Sequence, residues 1–263
     1  MNKAKFAIVS TIFAATAAFG QLPAPNEAGV GMGHLHLTVR DIDAHKKLWV
    51  GVMGAKPVMM GNLEVLKLPD VIVMLRKGEP AAGSEGSAVN HLGFKVKDLD
   101  ATIAKLTAAG ARVQRTMPET RQAFLLFPDE VKVEFSEDKS QTIPLTHHHI
   151  HFFTQDVEAT RAWYAKMFAA KPGRRLKFEA ADLPGVNLTF SPSETKTVAT
   201  KGRAVDHIGF EVRNLESFCK EMEKRGVKFD VPFKKVPALG LSIAFFTDPW
   251  GTYVELTEGM NKL

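Results

Sequence analysis

The sequence predicts an α+β protein made of four βαβββ units grouped as two domains. Three observations predict it. A strand phrase led by histidine occurs four times, as HLHLTVRD from His34, HLGFKVKD from His91, HIHFFTQD from His149 and HIGFEVRN from His207. Each phrase runs into a helical pattern that stops at a fixed distance, and each helix is followed by short runs of β-forming residues.

Within each phrase the apolar residues fall mostly at alternate positions, as in a strand with one buried face. Seven residues after the histidine stand Asp41, Asp98, Asp156 and Asn214, residue types that cap a helix by accepting from its free N–H groups. In DLDATIAKLTAAG the apolar Leu99, Ile103 and Leu106 share one helical face and Gly110 ends the helix; LESFCKEMEKRG repeats the design and ends at Gly226. The odd units match each other too, LWVGVMGAKP and WYAKMFAAKP both closing on a proline. Runs such as LEVLKL and VIVML then supply the remaining strands. The units fall at 34–78, 89–137, 147–192 and 204–258, and the first two repeat as the last two about 115 residues on. Taken in consecutive pairs they give domains at 33–137 and 147–260, with SEDKSQTIPLT at 136–146 as linker and loops at 78–87 and 193–203 inside each pair.

With 263 residues, 45% of them hydrophobic, the chain has ample material for such cores. Residues 1–20, MNKAKFAIVSTIFAATAAFG, combine a lysine-bearing start, an apolar run and small residues before Gln21, the pattern of a secretory signal peptide. The run is shorter than the roughly twenty apolar residues a spanning helix needs. The expectation is therefore a periplasmic or secreted protein with no stable membrane association after signal removal. Losing Lys3 and Lys5 lowers the formal charge from +5 to +3, and basic pairs such as Arg174-Arg175 are scattered, so nucleic acid is not an expected partner. Cys219, the single cysteine, lies among Phe218 and Met222 and is expected to be a small buried apolar residue.

Two units end in a strand carrying glutamate: FPDEVKVEF holds Glu134 and DPWGTYVEL holds Glu255. Each consecutive pair of units thus supplies two histidines and one glutamate, His34, His91 and Glu134 in the first, His149, His207 and Glu255 in the second. Imidazole with carboxylate suits a divalent transition ion, and three protein ligands leave positions for substrate or water. Zn, Fe(II) and Mn are the candidates, and export shifts the balance toward zinc because the ion is acquired where tighter-binding metals compete. Two residues along their strands, about 7 Å away on the same face, His36 and His151 are expected to act as acid–base groups or extra ligands. Gly93 and Gly209 hold the matching positions in the even units and leave room. His147 and His148 are expected in an exposed loop, His45 on the solvent side of a helix, and Trp250, after Pro249 in a turn, as a lid or an ordinary surface aromatic, the lid being favoured.

The repeated phrase and the two glutamates resemble the vicinal oxygen chelate superfamily of glyoxalases, bleomycin-resistance proteins and extradiol dioxygenases, over nearly all of Gly33 to Glu258. The resemblance implies glyoxalase-like domains in which each βαβββ unit forms half of a curved sheet, two units enclose a cleft, and inward-facing ligands come from the first and last strands of a unit. The four-unit length is similar to two-domain extradiol dioxygenases, which implies a metal on His149, His207 and Glu255. The implied activity is metal-dependent chemistry on a small substrate that chelates through vicinal oxygens, by an isomerase, lyase or dioxygenase route. The alternative is metal-independent sequestration of a small molecule. Units of this family pair within or between chains, which leaves a homodimer open.

Overall fold

The structure, a computed structural model, describes residues 21–263; the expected signal peptide at 1–20 lies outside them. Four βαβββ units follow one another. The first contains β1 (Val30–Val39), α1 (Ile42–Trp49), β2 (Lys56–Met60), β3 (Leu63–Leu68) and β4 (Val71–Lys77). The second contains β5 (Val89–Val96), α2 (Leu99–Ala108), β6 (Arg112–Met117), β7 (Gln122–Phe127) and β8 (Val131–Glu137). The third runs β9 (Leu145–Thr154), α3 (Val157–Phe168), β10 (Lys171–Arg175), β11 (Phe178–Leu183) and β12 (Val186–Pro192), and the fourth β13 (Val205–Val212), α4 (Leu215–Lys224), β14 (Phe229–Val236), β15 (Leu241–Thr247) and β16 (Tyr253–Glu258).

Local chemistry sets the helix ends. Asp41, Asp98 and Asp156 have extended backbones and accept from the N–H three residues on, at 3.0, 2.9 and 2.9 Å. Asn214 departs from this pattern: it is left-handed at φ 57° with no side-chain cap, and Glu258 on β16 accepts from the N–H groups of Asn214 and Leu215 instead. Gly110 and Gly226 follow the second and fourth helices at φ 109° and 93°, where a Cβ would be strained.

The strands form two eight-stranded sheets, ordered β14-β15-β16-β13-β1-β4-β3-β2 and β10-β11-β12-β9-β5-β8-β7-β6. In every unit the first and last strands are parallel neighbours. The sheets, however, are not built from consecutive units. Unit one joins unit four through the antiparallel pair β1–β13, and unit two joins unit three through β5–β9. The short segment after β8 turns the chain straight back beside β5, with Lys97 N–H on Pro144 O at 3.0 Å and Asp138 N–H on Val96 O at 2.8 Å. That leaves the β1 and β13 edges to satisfy each other's backbone groups.

The sequence halves cohere through their helices. Trp49 of α1 packs its ring on Phe94 and Phe127 of unit two at 5.8 and 5.2 Å, and Phe168 of α3 packs on Phe210 of unit four at 4.9 Å. Tyr164 on α3 donates to Asp248 in unit four at 2.7 Å. Each half is therefore held by apolar helix packing while each sheet crosses between halves. Gly61, in the β2–β3 turn, lies so close to the Ala238 carbonyl that a Cβ would approach it to 2.1 Å, so the two ends of the first sheet curl into contact.

Three expectations about histidines also change. His45 is fully buried, 3.4 Å from Asp129, because the loop carrying that aspartate folds over α1. His147 and His148 belong to β9 rather than to a loop. His147 is buried beside Phe94 with Nδ1–H donating to Gly185 O at 3.2 Å, and His148 sits where the register with β5 slips by one residue, a bulge that re-aims the neighbouring side chains. Cys219 is buried, and Trp250, half-buried, rests edge-on against Trp163 at 6.2 Å.

Candidate metal centres

Strand alternation carries the histidines of each sheet to its inner face, and the β1–β13 and β5–β9 registers bring them together. His36 lies opposite His207 and His34 opposite Gly209; His151 lies opposite His91 and His149 opposite Gly93. The glycines are required. A Cβ on Gly209 would come within 2.0 Å of the His34 ring and one on Gly93 within 1.9 Å of the His149 ring. Glu255 and Glu134 arrive on the parallel last strands, beside Gly209 and Gly93 respectively.

Two clusters result, His34, His36, His207 and Glu255 in the first sheet and His91, His149, His151 and Glu134 in the second, each with ligand atoms within 4.8 Å of one another. All six expected ligands are thus in metal-compatible groups, but sorted differently. His34 joins His207 and Glu255 rather than His91 and Glu134, and His149 joins His91 and Glu134, because each sheet is built from an outer pair or an inner pair of units. His36 and His151, expected as neighbours of the ligands, complete the two groups.

In the first centre His34 Nε2 and His207 Nε2 converge on one oxygen, Oε2 of Glu255, at 2.9 and 3.0 Å. The other nitrogen of His207 is held by Asp206 Oδ1 at 2.6 Å. Burial would lower the pKa of His207, but its bonds to Asp206 and Glu255 outweigh burial and raise it. Both nitrogens of His36, and Nδ1 of His34, are buried with no hydrogen-bond partner among the described residues. Such orphaned groups cost about 1–3 kcal/mol each, and a cation at the convergence point would satisfy those that face it. Burial, reinforced by His207 and His34, drives the His36 pKa well below the ordinary imidazole value, leaving a neutral ring able to ligate or accept a proton.

In the second centre His91 Nε2 and His149 Nε2 lie 3.0 and 3.3 Å from Glu134 Oε2, and His151 Nδ1 lies 3.1 Å from His91 Nε2. Asn90 Oδ1 holds His91 Nδ1 at 2.8 Å, and His151 Nε2 meets Ser191 Oγ at 2.7 Å. Glu134 Oε1 accepts from Arg175 at 2.6 Å, Gln122 at 2.8 Å and Ser136 at 3.0 Å. Burial would raise this carboxyl, but the His149 and His91 hydrogen bonds and the Arg175 charge hold it below the usual carboxylate range. Burial lowers His149 to about 3, and burial with two neighbouring imidazoles lowers His151 further still. In each centre one histidine has its second nitrogen held by a neighbouring side chain, Asp206 for His207 and Asn90 for His91, and three imidazoles with a carboxylate form a donor set that fits a divalent ion.

Asp206, Asn90, Arg175, Gln122 and Ser191 were not singled out from sequence. Asp206 and Asn90 carried a signal, since each directly precedes the histidine of an even unit. Arg175 carried a fainter one, as the last residue of a strand beginning Lys171-Pro172, where the matching strand Lys56-Pro57 ends in Met60.

Comparison with known proteins places the chain. Among curated proteins no significant sequence match is found. Glyoxalase I from Zea mays superposes with a TM-score of 0.70 at 18% identity, covering 89% of this chain and 94% of that one. A putative dioxygenase from Bacillus subtilis subsp. subtilis str. 168 superposes with a TM-score of 0.65 at 12% identity, covering 90% of this chain and 86% of that one. Identities this low carry the fold alone. The sequence itself matches one family model twice, over residues 31–135 and 146–256, and so the chain belongs to the Glyoxalase/Bleomycin resistance protein/Dioxygenase superfamily.

Proposed function

We propose that this protein is an exported, metal-dependent enzyme acting on a small substrate that chelates the metal through vicinal oxygens, by isomerase, lyase or dioxygenase-like chemistry. The observation that carries the reading is the convergence of three imidazoles and a carboxylate, twice, once in each sheet. His34, His207 and Glu255 would hold one ion, and His91, His149 and Glu134 another. A bound divalent ion supplies electrophilic stabilisation where negative charge develops on a substrate oxygen.

The chain's own residues do the rest. Asp206 and Asn90 fix the ring orientation of His207 and His91 through their Nδ1 atoms. His36, neutral and unpartnered, and His151, whose Nε2 is anchored on Ser191, are the groups placed to take and return a substrate proton. Phe245 and Tyr253 flank His207 at 5.4 and 5.7 Å, and Phe124 flanks His91 at 5.1 Å, walls that limit water around the reacting atoms.

Elemental analysis of the mature protein purified from the compartment to which it is exported tests this reading. About two divalent ions per chain are expected; a chain that binds none at stoichiometric level is instead a sequestering protein and the proposal fails. Export has its own check: the mature protein is expected to begin near Gln21, which N-terminal sequencing reads directly.

A further inference from the structure

The two centres share a ligand pattern but differ in the charges behind it. In the first sheet the second nitrogen of His207 rests on a carboxylate, Asp206; in the second sheet the same position on His91 is served by a neutral amide, Asn90. The ligand Glu134 is neutralised by the buried guanidinium of Arg175, 9% exposed. At the matching place the first sheet has Met60, buried in an apolar group with Val65, Ile72 and Met74. Gln122, donating to the same Glu134 oxygen as Arg175, likewise stands where the first sheet has Ile243: each lies two residues before the phenylalanine that pairs with the ligand glutamate.

The fixed charges therefore sum to minus two for Glu255 and Asp206, and to zero for Glu134 and Arg175. Arg76 reaches Asp206 at 3.4 Å, but its side chain is 56% exposed and solvent weakens the offset. A divalent ion makes the first centre neutral and the second doubly positive. Its guanidinium carries five N–H donors in a fork that matches a carboxylate, and Glu134 engages one nitrogen.

We infer that the centres have been set to different occupants: the first retains its divalent ion as a balanced cluster open to neutral ligands, while the second takes an anionic chelator, a carboxylate beside another oxygen, received by Arg175. This rests on the metal-dependent reading above and assigns a ligand class to one of its two sites.

The test uses the full-length mature protein, stripped of metal and titrated calorimetrically, first with zinc and then, once zinc-loaded, with oxalate as the anionic probe. Two classes of zinc site at least tenfold apart in affinity are expected, with Asp206→Asn weakening the tighter class by about 10–100-fold. One oxalate per chain is expected, lost in His91→Ala, weakened more than tenfold by Arg175→Met and less by Arg175→Lys. Arg175→Met is also expected to tighten zinc binding at the weaker class, a gain that a misfolded variant would not show. Oxalate binding unchanged in Arg175→Met, or lost in His207→Ala rather than His91→Ala, overturns the inference while leaving the metal-dependent reading intact. Failure to bind zinc at all overturns both.

Discussion

At the scale of single residues, the glycines facing the histidines are as much part of each centre as the ligands. Gly93 and Gly209 have ordinary backbone conformations, so their identity is explained by the ring packed on each, 1.9 and 2.0 Å from where a Cβ would stand. Gly93→Ala is expected to push His149 out of the second centre, costing roughly 1–3 kcal/mol of stability from overpacking and at least tenfold in metal affinity there. Gly209→Ala does the same to His34 in the first centre. Metal titration beside thermal melting checks both, and normal metal binding by either variant would contradict the geometry. All eight cluster members were legible from the repeat, because a strand's period of two fixes which face each residue takes. His45 and His147 were misread for the complementary reason: their burial depends on the Asp129 loop and on a bulge, tertiary features that leave no periodic trace.

At the scale of elements, the four units repeat in pattern but their helix starts do not share one mechanism. Asp156→Ala removes a cap bond and is expected to cost about 1 kcal/mol, read as a shift in denaturant midpoint at unchanged slope. Asn214 makes no side-chain cap and holds a left-handed backbone at φ 57°, so Asn214→Gly is expected to be neutral or mildly stabilising, whereas Glu258→Ala destabilises by uncovering two helix N–H groups. A cost for Asn214→Gly as large as for Asp156→Ala would contradict this. From sequence, Asn214 read as a cap like its three counterparts, because a residue type suited to capping is also one that tolerates the left-handed region.

At the scale of the whole molecule, element order and type followed from local pattern, but which units share a sheet did not. Four units with the same strand-edge chemistry can be joined in several ways, and no residue in β1 marks β13, more than 160 positions away, as its partner. The choice is made by the short connection between units two and three and by helix packing that ties one to two and three to four. Burial of histidine also sets the molecule's response to acid. His147 falls from its ordinary 6.5 to about 3 because it is buried, so the unfolded chain binds the extra proton between those values. Stability is then greatest above pH 6.5 and declines as pH falls toward 3, by about 1.4 kcal/mol per pH unit for this group alone. Equilibrium unfolding of metal-free protein at several pH values reads the slope, and His147→Leu is expected to flatten it.

The sharing of each centre between sequence halves is tested most directly by the metal content of two double variants. His34→Ala with His207→Ala removes ligands from one centre, so one divalent ion per chain should remain. His34→Ala with His91→Ala strikes both centres, so neither ion should be held at stoichiometric level. One ion retained by the second variant and none by the first would mean that the ligands are grouped within each half, and the architecture described above would be wrong.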